Sequence, residues 1–359
     1  MKHLSLLVKP AAGLCNMRCG YCFYRAAAET RENRVMDDAT ADTLIRKIAA
    51  YRPTALSLAF QGGEPTLAGL PFFRSFTEKL KRAVSCPVRF SLQTNGLLID
   101  DAWAAFLKEN GFLTGVSLDG NRKTNDRYRL DNNGECVLPR VLEAISALKK
   151  HGADFNILCV VDDENAKEIE TTWAYFKKHG FQYLQFIPLR DACGLRLSPE
   201  SWEAFLKKSF DLWYRELCIG NYVSVRHIDN YVGILLGRPP ESCAMCGVCG
   251  SYFVVEANGD LFPCDFYCAP EYKLGSVFDD APFAPGKAQR RFIEESKIIH
   301  ESCDGCRYYP LCRGGCKTDR TDGFTKNRYC AAYRAFFDHA AGRMELAAQA
   351  FARGGPIGR

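Results

Sequence analysis

The first half of the chain alternates between short strand-like runs and helix-length segments, and this alternation restricts the fold more than any other feature. Runs rich in β-branched, aromatic or leucine residues predict strands at 4–10, 55–63, 88–96, 112–120, 153–162 and 181–189. Apolar residues at three- and four-residue spacing predict helices around 38–50, 70–84, 100–109, 137–151 and 165–179. Strands that alternate with helices form parallel βαβ units. The sequence therefore predicts an α/β fold, either a doubly wound sheet or an incomplete barrel.

Both architectures place functional residues at the C-terminal ends of the strands. Three chemically rich tripeptides follow predicted strands at that end: GGE (62–64), TNG (94–96) and LDG (118–120). We therefore expect the reaction centre at this edge of the sheet.

The second half has a different character. Residues 199–218 predict an amphipathic helix, the chain is rich in cysteines and turns from Cys243 onward, and 331–352 predict a final helix. Asn258-Gly259 predicts a hairpin turn within 253–264. Because apolar periodicity is sparse here, bound metal is expected to supply part of the stability. We predict three segments, 1–198, 199–242 and 243–359.

Composition excludes several classes of protein. Of 359 residues, 47% are hydrophobic and 25% charged, which is typical of a globular chain and not of disorder or a coiled coil. The net charge of +5 without a run of like charges predicts no nucleic-acid partner. No apolar stretch is long enough for a membrane span, and the N-terminal apolar run is too short for a secretory signal. The closely spaced cysteines, among 18 in all, suit metal binding in a reducing cytoplasm.

The loop after the first strand carries a CxxxCxxC motif, formed by Cys15, Cys19 and Cys22. Three thiolates can hold three corners of a [4Fe–4S] cube and leave the fourth iron without a protein ligand. An open metal position is typical of a substrate site. A zinc knuckle is the alternative, but GGEP at 62–65, after the next strand, favours the open cluster.

The sequence CxxxCxxCFY, followed by QGGEPTLAG, SLQTNG, SLDG and FNILCVV, resembles the radical S-adenosylmethionine enzymes. The resemblance extends into their cysteine-rich SPASM extension and is strongest to the anaerobic sulfatase-maturating enzymes. The most specific stretch is FVVEANGDLFPCDFYCAPEYKLGSV (253–277). The resemblance implies a partial (β/α)6 TIM-like barrel followed by a SPASM domain with a C-terminal helix.

The resemblance also implies roles for individual residues. Cys15, Cys19 and Cys22 would hold the cluster, whose open iron binds the methionine part of S-adenosylmethionine. The amino group of this cofactor would lie at Gly62, Gly63 and Glu64, with Gln61 nearby. Ser117 and Arg129 are candidates for its carboxylate and ribose; the alternatives are an ordinary strand-end serine and a surface ion pair.

Eight further cysteines fit two fully ligated [4Fe–4S] clusters by the same resemblance, which gives three clusters in all. The first set is Cys243, Cys249, Cys264 and Cys316. The second set is Cys303, Cys306, Cys312 and Cys330. Cys246 and Cys268 lie beside these residues, so either could replace a ligand, and a zinc site with four cysteines is the alternative. Cys86, Cys136, Cys159, Cys193 and Cys218 are interpreted as small buried hydrophobic residues or as stray thiols without a ligand role.

The resemblance makes Asp265, in the CDFY tetrapeptide, the candidate general base. A turn-capping role is its alternative. Tyr24 is a second candidate facing the cofactor, although it could simply pack with its hydroxyl bound to the backbone.

The implied function is oxidation of a cysteine or serine in a sulfatase segment of the type C/S-x-P/A-x-R to Cα-formylglycine by a 5′-deoxyadenosyl radical. The implied partners are the unfolded sulfatase polypeptide and an electron donor such as flavodoxin or ferredoxin.

One alternative is a radical maturase that forms thioether or carbon–carbon crosslinks in ribosomal peptides. Another is a non-catalytic iron–sulfur electron carrier or a zinc-stapled binding module. The first strand begins near residue 4, which leaves no room for the N-terminal peptide-recognition domain that many crosslinking maturases carry. This observation favours sulfatase maturation. The segment 190–202 is shorter than its family counterpart and is a candidate wall of the peptide site.

Overall fold

A computed structural model describes residues 3–24, 34–190, 194–321 and 325–354. Its strands are β1 (His3–Val8), β2 (Ala55–Phe60), β3 (Val88–Thr94), β4 (Phe112–Ser117), β5 (Phe155–Val161), β6 (Tyr183–Pro188), β7 (Ser224–Val225), β8 (Phe253–Val255), β9 (Asp260–Phe262), β10 (Gly275–Ser276), β11 (Arg320–Thr321) and β12 (Lys326–Asn327). Its α-helices are α1 (Asp38–Tyr51), α2 (Leu70–Ala83), α3 (Asp101–Glu109), α4 (Arg122–Asn125), α5 (Leu138–His151), α6 (Asp163–Lys167), α7 (Ile169–Lys178), α8 (Pro199–Cys218), α9 (Arg226–Leu235), α10 (Lys287–Lys297), α11 (Tyr309–Cys312) and α12 (Cys330–Ala352).

The six predicted strands and most of the predicted helices are confirmed to within a few residues. Helix α1 begins where the sequence predicts, because the Asp37 side chain accepts a hydrogen bond from the Thr40 amide. The helix predicted at 165–179 is instead two short helices, α6 and α7. Glu168 ends the first and begins the second, and the Asp162 side chain caps α6 earlier than the apolar pattern indicates.

Contacts between α-carbons divide the chain into two compact units made of interleaved segments. The first unit contains 1–118, 126–155 and 250–292, and the second contains 119–125, 156–249 and 293–359. The predicted consecutive segments 1–198, 199–242 and 243–359 stay a prediction. The hairpin after residue 250 joins the first unit because β8 pairs in parallel with β1, with Leu6 opposite Phe253 and Val8 opposite Val255.

In the first unit the strand order is β10-β9-β8-β1-β2-β3-β4. Strands β1 to β4 and β8 run parallel, and β8, β9 and β10 are joined by antiparallel pairing. One face of this sheet is covered by helices. There the ring of Phe60 on β2 lies 4.9 Å from that of Phe73 on α2, and Phe112 on β4 lies 5.5 Å from Phe106 on α3.

Because side chains alternate along a strand, the opposite face presents a different set of residues. On β1 and β2 that face carries Ser5, Leu7, Ser57 and Ala59, which line a cavity of about 540 Å³ together with residues of β3 and β4. The same alternation continues to Lys9 and Gln61, directly after the two strands. Three of these four side chains, Ser5, Ser57 and Ala59, are small, which leaves room for the cavity on this face.

In the second unit, β5, β6 and β7 pair in parallel. The two long helices, α8 and α12, pack through aromatic side chains, with the rings of Phe210 and Phe336 6.0 Å apart. Tyr329, fully buried just before α12, donates its hydroxyl to the Leu197 carbonyl. Within the described ranges, no helix combines the length and apolarity needed to cross a membrane.

Candidate active site

The CxxxCxxC loop follows β1, and its three cysteines are partly exposed. Burial, together with the nearby Glu64, Cys19 and Cys22, raises the pKa of the Cys15 thiol to about 12. The three thiols are therefore close enough to interact electrostatically. A metal ligand must be the thiolate, so iron has to displace the Cys15 proton when a cluster binds. The donor set fits the predicted cluster, since three sulfurs project from one short loop.

The GGE segment after β2 is hydrogen-bonded to the backbone of this loop. The Gly63 amide donates to the Ala12 carbonyl at 2.9 Å, and the Glu64 amide donates to the Leu14 carbonyl at 2.7 Å. Gly62 has a φ of 134°, a conformation that favours glycine. The GGE segment thus fixes the backbone immediately before Cys15.

The Glu64 side chain joins two strand ends. It is 1% exposed, and its Oε1 accepts hydrogen bonds from the Thr66 hydroxyl at 2.6 Å and the Thr94 hydroxyl at 2.7 Å. Its Oε2 accepts from the Asn95 amide at 2.7 Å. Burial raises the pKa of Glu64, while the hydrogen bonds from Asn95, Thr66 and Thr94 oppose that rise. The carboxylate is therefore engaged within the protein, and the predicted amino-group contact stays a prediction.

Asn95, from the TNG tripeptide, extends this network to the cysteine loop. Its Nδ2 donates to Oδ1 of Asn16 at 2.7 Å and lies 3.9 Å from Sγ of Cys15. Sequence reasoning identified TNG by its position at a strand end but assigned Asn95 no role. The structure shows that it links the GGE segment to the first cysteine.

Ser117 and Arg129 also lie in the first unit. The Ser117 hydroxyl, at the end of β4, accepts a hydrogen bond from Nε2 of Gln93 at 3.0 Å. Arg129 is 4% exposed and donates to the Tyr21 hydroxyl at 3.1 Å. Arg129 is thus buried beside the cysteine loop instead of lying at the surface. The proposed contacts of both residues with the cofactor stay predictions.

The structure brings together three residues that the sequence analysis singled out separately. Asp265, 5% exposed, accepts a hydrogen bond from the Tyr24 hydroxyl at Oδ1 and one from Nε2 of Gln61 at Oδ2, the latter at 3.0 Å. Burial and the adjacent Asp265 carboxylate raise the pKa of Tyr24 well above its usual range. Tyr24 therefore remains a hydrogen-bond donor. The alternative interpretation, in which its hydroxyl binds the backbone, does not describe this contact with Asp265.

Lys9 and Glu256 belong to the same group, and sequence reasoning missed both. The Lys9 ammonium lies 2.9 Å from Oδ1 of Asp265 and 3.0 Å from Oε1 of Glu256. A signal for Lys9 was present in the sequence, since a lysine directly after the apolar run LSLLV falls at a C-terminal strand end. Glu256 directly follows the run FVV in the same way.

In the second unit, the four cysteines of one predicted set lie near one another. Burial, together with the nearby Cys330, Cys303 and Cys306, raises the pKa of Cys312 to about 11. Burial likewise raises the pKa of Cys249, with Cys316 as the next cause. The set of Cys303, Cys306, Cys312 and Cys330 thus fits a cysteine-ligated cluster.

Cys264 and Cys268 lie in the first unit, where the Tyr252 hydroxyl is 3.5 Å from Sγ of Cys264. Sγ of Cys268 lies 3.3 Å from the Lys9 ammonium. Cys246 lies in the second unit, with its Sγ 3.5 Å from the Ser242 carbonyl. The ligand roles of these cysteines and of Cys243 stay predictions. Cys193 and part of the segment 190–202 lie outside the described residues.

Among the residues that the structure describes, no three His, Cys, Asp or Glu side chains converge closely enough to hold a single metal ion.

Comparison with known proteins agrees with this chemistry. The profile of the radical SAM superfamily matches residues 11–175. The cysteine-type anaerobic sulfatase-maturating enzyme of Clostridium novyi (strain NT) is 37% identical over 98% of this chain and 99% of its own length. The serine-type enzyme of Klebsiella pneumoniae is 33% identical over 92% of this chain and 86% of its own length.

A solved structure of native anSMEcpe with bound AdoMet and Kp18Cys peptide superposes with a TM-score of 0.92 at 38% identity, covering 97% of this chain and 99% of the other. This match confirms the predicted α/β fold, a partial (β/α)6 barrel followed by a cysteine-rich region and a C-terminal helix. The residues and the matches together show that the chain belongs to the anaerobic sulfatase-maturating enzymes of the radical SAM superfamily.

Proposed function

We propose that this enzyme oxidises Cβ of a cysteine or serine in a sulfatase segment of the type C/S-x-P/A-x-R and so forms Cα-formylglycine. The observation that carries the proposal is the Asp265 carboxylate, held by Tyr24 and Gln61 in the unit that contains the CxxxCxxC loop. This arrangement combines a buried proton acceptor with ligands for a radical-generating cluster.

The overall change removes two electrons and two protons from the target. When bound, S-adenosylmethionine and the clusters supply a 5′-deoxyadenosyl radical that takes one hydrogen atom from Cβ, and an acceptor for the second electron. The remaining proton leaves the thiol or hydroxyl of the target, and Asp265 accepts it. Serine then gives the aldehyde directly, and cysteine gives a thioaldehyde that water converts to the same aldehyde with release of hydrogen sulfide.

The chain's own residues bind and orient these groups. Cys15, Cys19 and Cys22 hold the first cluster. The backbone and side chains around Gln61, Gly62, Gly63 and Glu64 receive the amino group of S-adenosylmethionine, and Ser117 and Arg129 its carboxylate and ribose. The rigid attachment of GGE to the cysteine loop supports this assignment, because a cofactor that chelates iron must contact both segments.

We further propose two auxiliary [4Fe–4S] clusters, giving three in all. Cys243, Cys249, Cys264 and Cys316 would bind one, and Cys303, Cys306, Cys312 and Cys330 the other. The mutual effects of Cys303, Cys306, Cys312 and Cys330 on the Cys312 pKa support the second set, and the effect of Cys316 on Cys249 supports part of the first. Both clusters suit a role as acceptors of the second electron.

We propose cysteine as the natural target, because the cysteine-type relative is more similar in sequence than the serine-type relative. The substrate is an unfolded sulfatase polypeptide, because an extended segment is needed to bring one side chain to a buried carboxylate. A flavodoxin or ferredoxin supplies electrons, and the reducing cytoplasm preserves the clusters.

A synthetic peptide containing C-x-P-x-R tests the proposal with anaerobically reconstituted enzyme. We expect a loss of about 18 mass units on conversion of cysteine to formylglycine, together with release of 5′-deoxyadenosine. A peptide with alanine at the target position is the matched control and keeps its mass. A product that lacks two mass units and contains a new crosslink would instead identify the crosslinking maturase alternative. A fully clustered enzyme that cleaves no S-adenosylmethionine would indicate an electron carrier.

A further inference from the structure

Lys9 is an ammonium group completely removed from solvent, immediately after β1. It contacts Asp265, Glu256 and the sulfur of Cys268, and it lies 4.7 Å from the centre of the Tyr24 ring. Burying an ammonium carries a large desolvation penalty unless carboxylates compensate its charge. A lysine kept at this position beside the proposed base therefore requires a physical explanation.

The location of the ammonium is set by backbone pairing. Strand β1 pairs with β8 in parallel, and the pairing continues past both strands because the Lys9 amide donates to the Val255 carbonyl at 2.9 Å. This register places Lys9 beside Glu256, the residue that follows β8. The 3.0 Å ion pair then holds the lysine side chain at the strand ends.

The two oxygens of Asp265 receive different partners. Lys9 and Tyr24 both contact Oδ1, whereas Gln61 donates to Oδ2. Contacts on both oxygens fix the rotation of the carboxylate as well as its position. Of these partners, Lys9 alone carries a positive charge and so attracts the carboxylate most strongly.

We propose that Lys9 is a positioning residue, anchored by Glu256, that holds Asp265 in the orientation needed to take the target's proton. The inference rests on the proposed function of Asp265 as the base. Glu256 has a specific part in it. Its carboxylate lies 3.0 Å from the Lys9 ammonium, so it holds the lysine side chain at the end of β1 and places a second negative charge beside it.

The variant Lys9→Met tests this inference in the reconstituted holoenzyme, since methionine fills the space without charge. The substrate is a C-x-P-x-R peptide with deuterium at Cβ of the target. The amount of deuterated 5′-deoxyadenosine measures hydrogen-atom removal from Cβ, and the amount of formylglycine measures completed oxidation. We expect iron content and deuterated 5′-deoxyadenosine per cluster to stay within about twofold of the wild type, and the ratio of formylglycine to deuterated 5′-deoxyadenosine to fall by about 10- to 100-fold.

Lys79→Met is the matched control, because Lys79 forms a surface ion pair with Asp42 at 2.6 Å. We expect its product ratio to equal that of the wild type. Lys9→Arg keeps the charge and should recover part of the ratio. A lysine that only stabilises the fold would lower both products together and leave their ratio unchanged.

Removal of Lys9 alone leaves the buried carboxylates of Asp265 and Glu256 without their shared cation. This variant is therefore the one most prone to misfold. The double variant with Lys9→Met and Glu256→Gln removes one of these charges. A fallen ratio in either folded variant supports the inference. A product ratio equal to that of the wild type overturns the inference about Lys9 but leaves the proposed function intact. A double variant that binds no iron also overturns the inference, because it shows that Lys9 and Glu256 serve folding. A wild type that forms no formylglycine contradicts the proposed function itself.

Discussion

The α-carbon of Gly63 faces the carbonyl oxygen of Leu14 so closely that a β-carbon at residue 63 would lie 2.1 Å from that oxygen. Real β-carbons essentially never come within 3.0 Å of another heavy atom. The nearest atoms here belong to the backbone of Leu14 and Gly13, so no side-chain rotation can relieve the clash. The hydrogen bonds that Gly63 and Glu64 donate to Ala12 and Leu14 fix the same pair of segments. Close approach therefore ties the GGE segment to the loop that begins the cluster site.

Gly63→Ala should displace the cysteine loop and remove the first cluster. With four iron per cubane, we expect iron to fall from about 12 to about 8 per chain and cleavage of S-adenosylmethionine to be lost. Iron analysis and 5′-deoxyadenosine release measure the two effects. Gly342→Ala is the control, because a β-carbon in the middle of α12 meets nothing within 4 Å and should stabilise the helix by about 1 kcal/mol. Full iron in Gly63→Ala would contradict this account.

The parts of the site visible in the sequence are those carried by local patterns. The spacing of Cys15, Cys19 and Cys22 indicates a cluster, and the position of GGE after a predicted strand indicates the edge of the sheet where it lies. Asp265 is a candidate because its CDFY tetrapeptide resembles that of the family. Each of these signals lies within a few consecutive residues, so no knowledge of tertiary contacts is needed.

The parts that sequence reasoning missed depend on pairing between distant segments. Lys9 and Glu256 are separated by 247 residues, and only the parallel register of β1 and β8 brings them together. The predicted contact of Glu64 with a cofactor amino group stays a prediction, but the hydrogen bonds of its carboxylate to Thr94 and Asn95 on a neighbouring strand end were not foreseen. A long-range hydrogen bond leaves no periodic mark in a single sequence, so these roles emerge only from the fold.

Simultaneous change of Cys15, Cys19 and Cys22 to alanine separates the first cluster from the others. Because auxiliary clusters have their own ligands, we expect about a third of the iron to disappear with all cleavage of S-adenosylmethionine. Elemental analysis of iron and sulfide, with wild type at about 12 of each, checks this result. A zinc-loaded, iron-poor wild type that still forms product would exclude the cluster assignment.

Cys312→Ala should damage the fold as well as turnover. Metal binding contributes folding free energy in a cysteine-rich segment, and Cys312 lies among the cysteines of one predicted set. We expect a lower melting temperature in anaerobic thermal unfolding and a loss of about four iron. Cys218→Ala is the control, since that thiol is exposed and lies outside both predicted sets. Wild-type stability in Cys312→Ala would indicate that this cluster is absent.

Asp265→Asn separates proton removal from radical formation. The amide keeps the shape of the side chain and an oxygen acceptor for Tyr24, but it cannot accept a proton at neutral pH. Neither cluster binding nor cleavage of S-adenosylmethionine requires the carboxylate, so both should persist. Formylglycine yield should fall by about 10²- to 10⁴-fold, the range typical for loss of a general base.

The measurement for Asp265→Asn is mass spectrometry of the C-x-P-x-R peptide beside quantification of 5′-deoxyadenosine. Asp42→Asn is the matched control, because it replaces an exposed carboxylate paired with Lys79 and should leave both products unchanged. Full peptide conversion by Asp265→Asn would refute the role as base and return Asp265 to its alternative as a turn-capping residue. Loss of iron in the same variant would show that the carboxylate instead supports the neighbouring Cys264, because the two residues share one short turn.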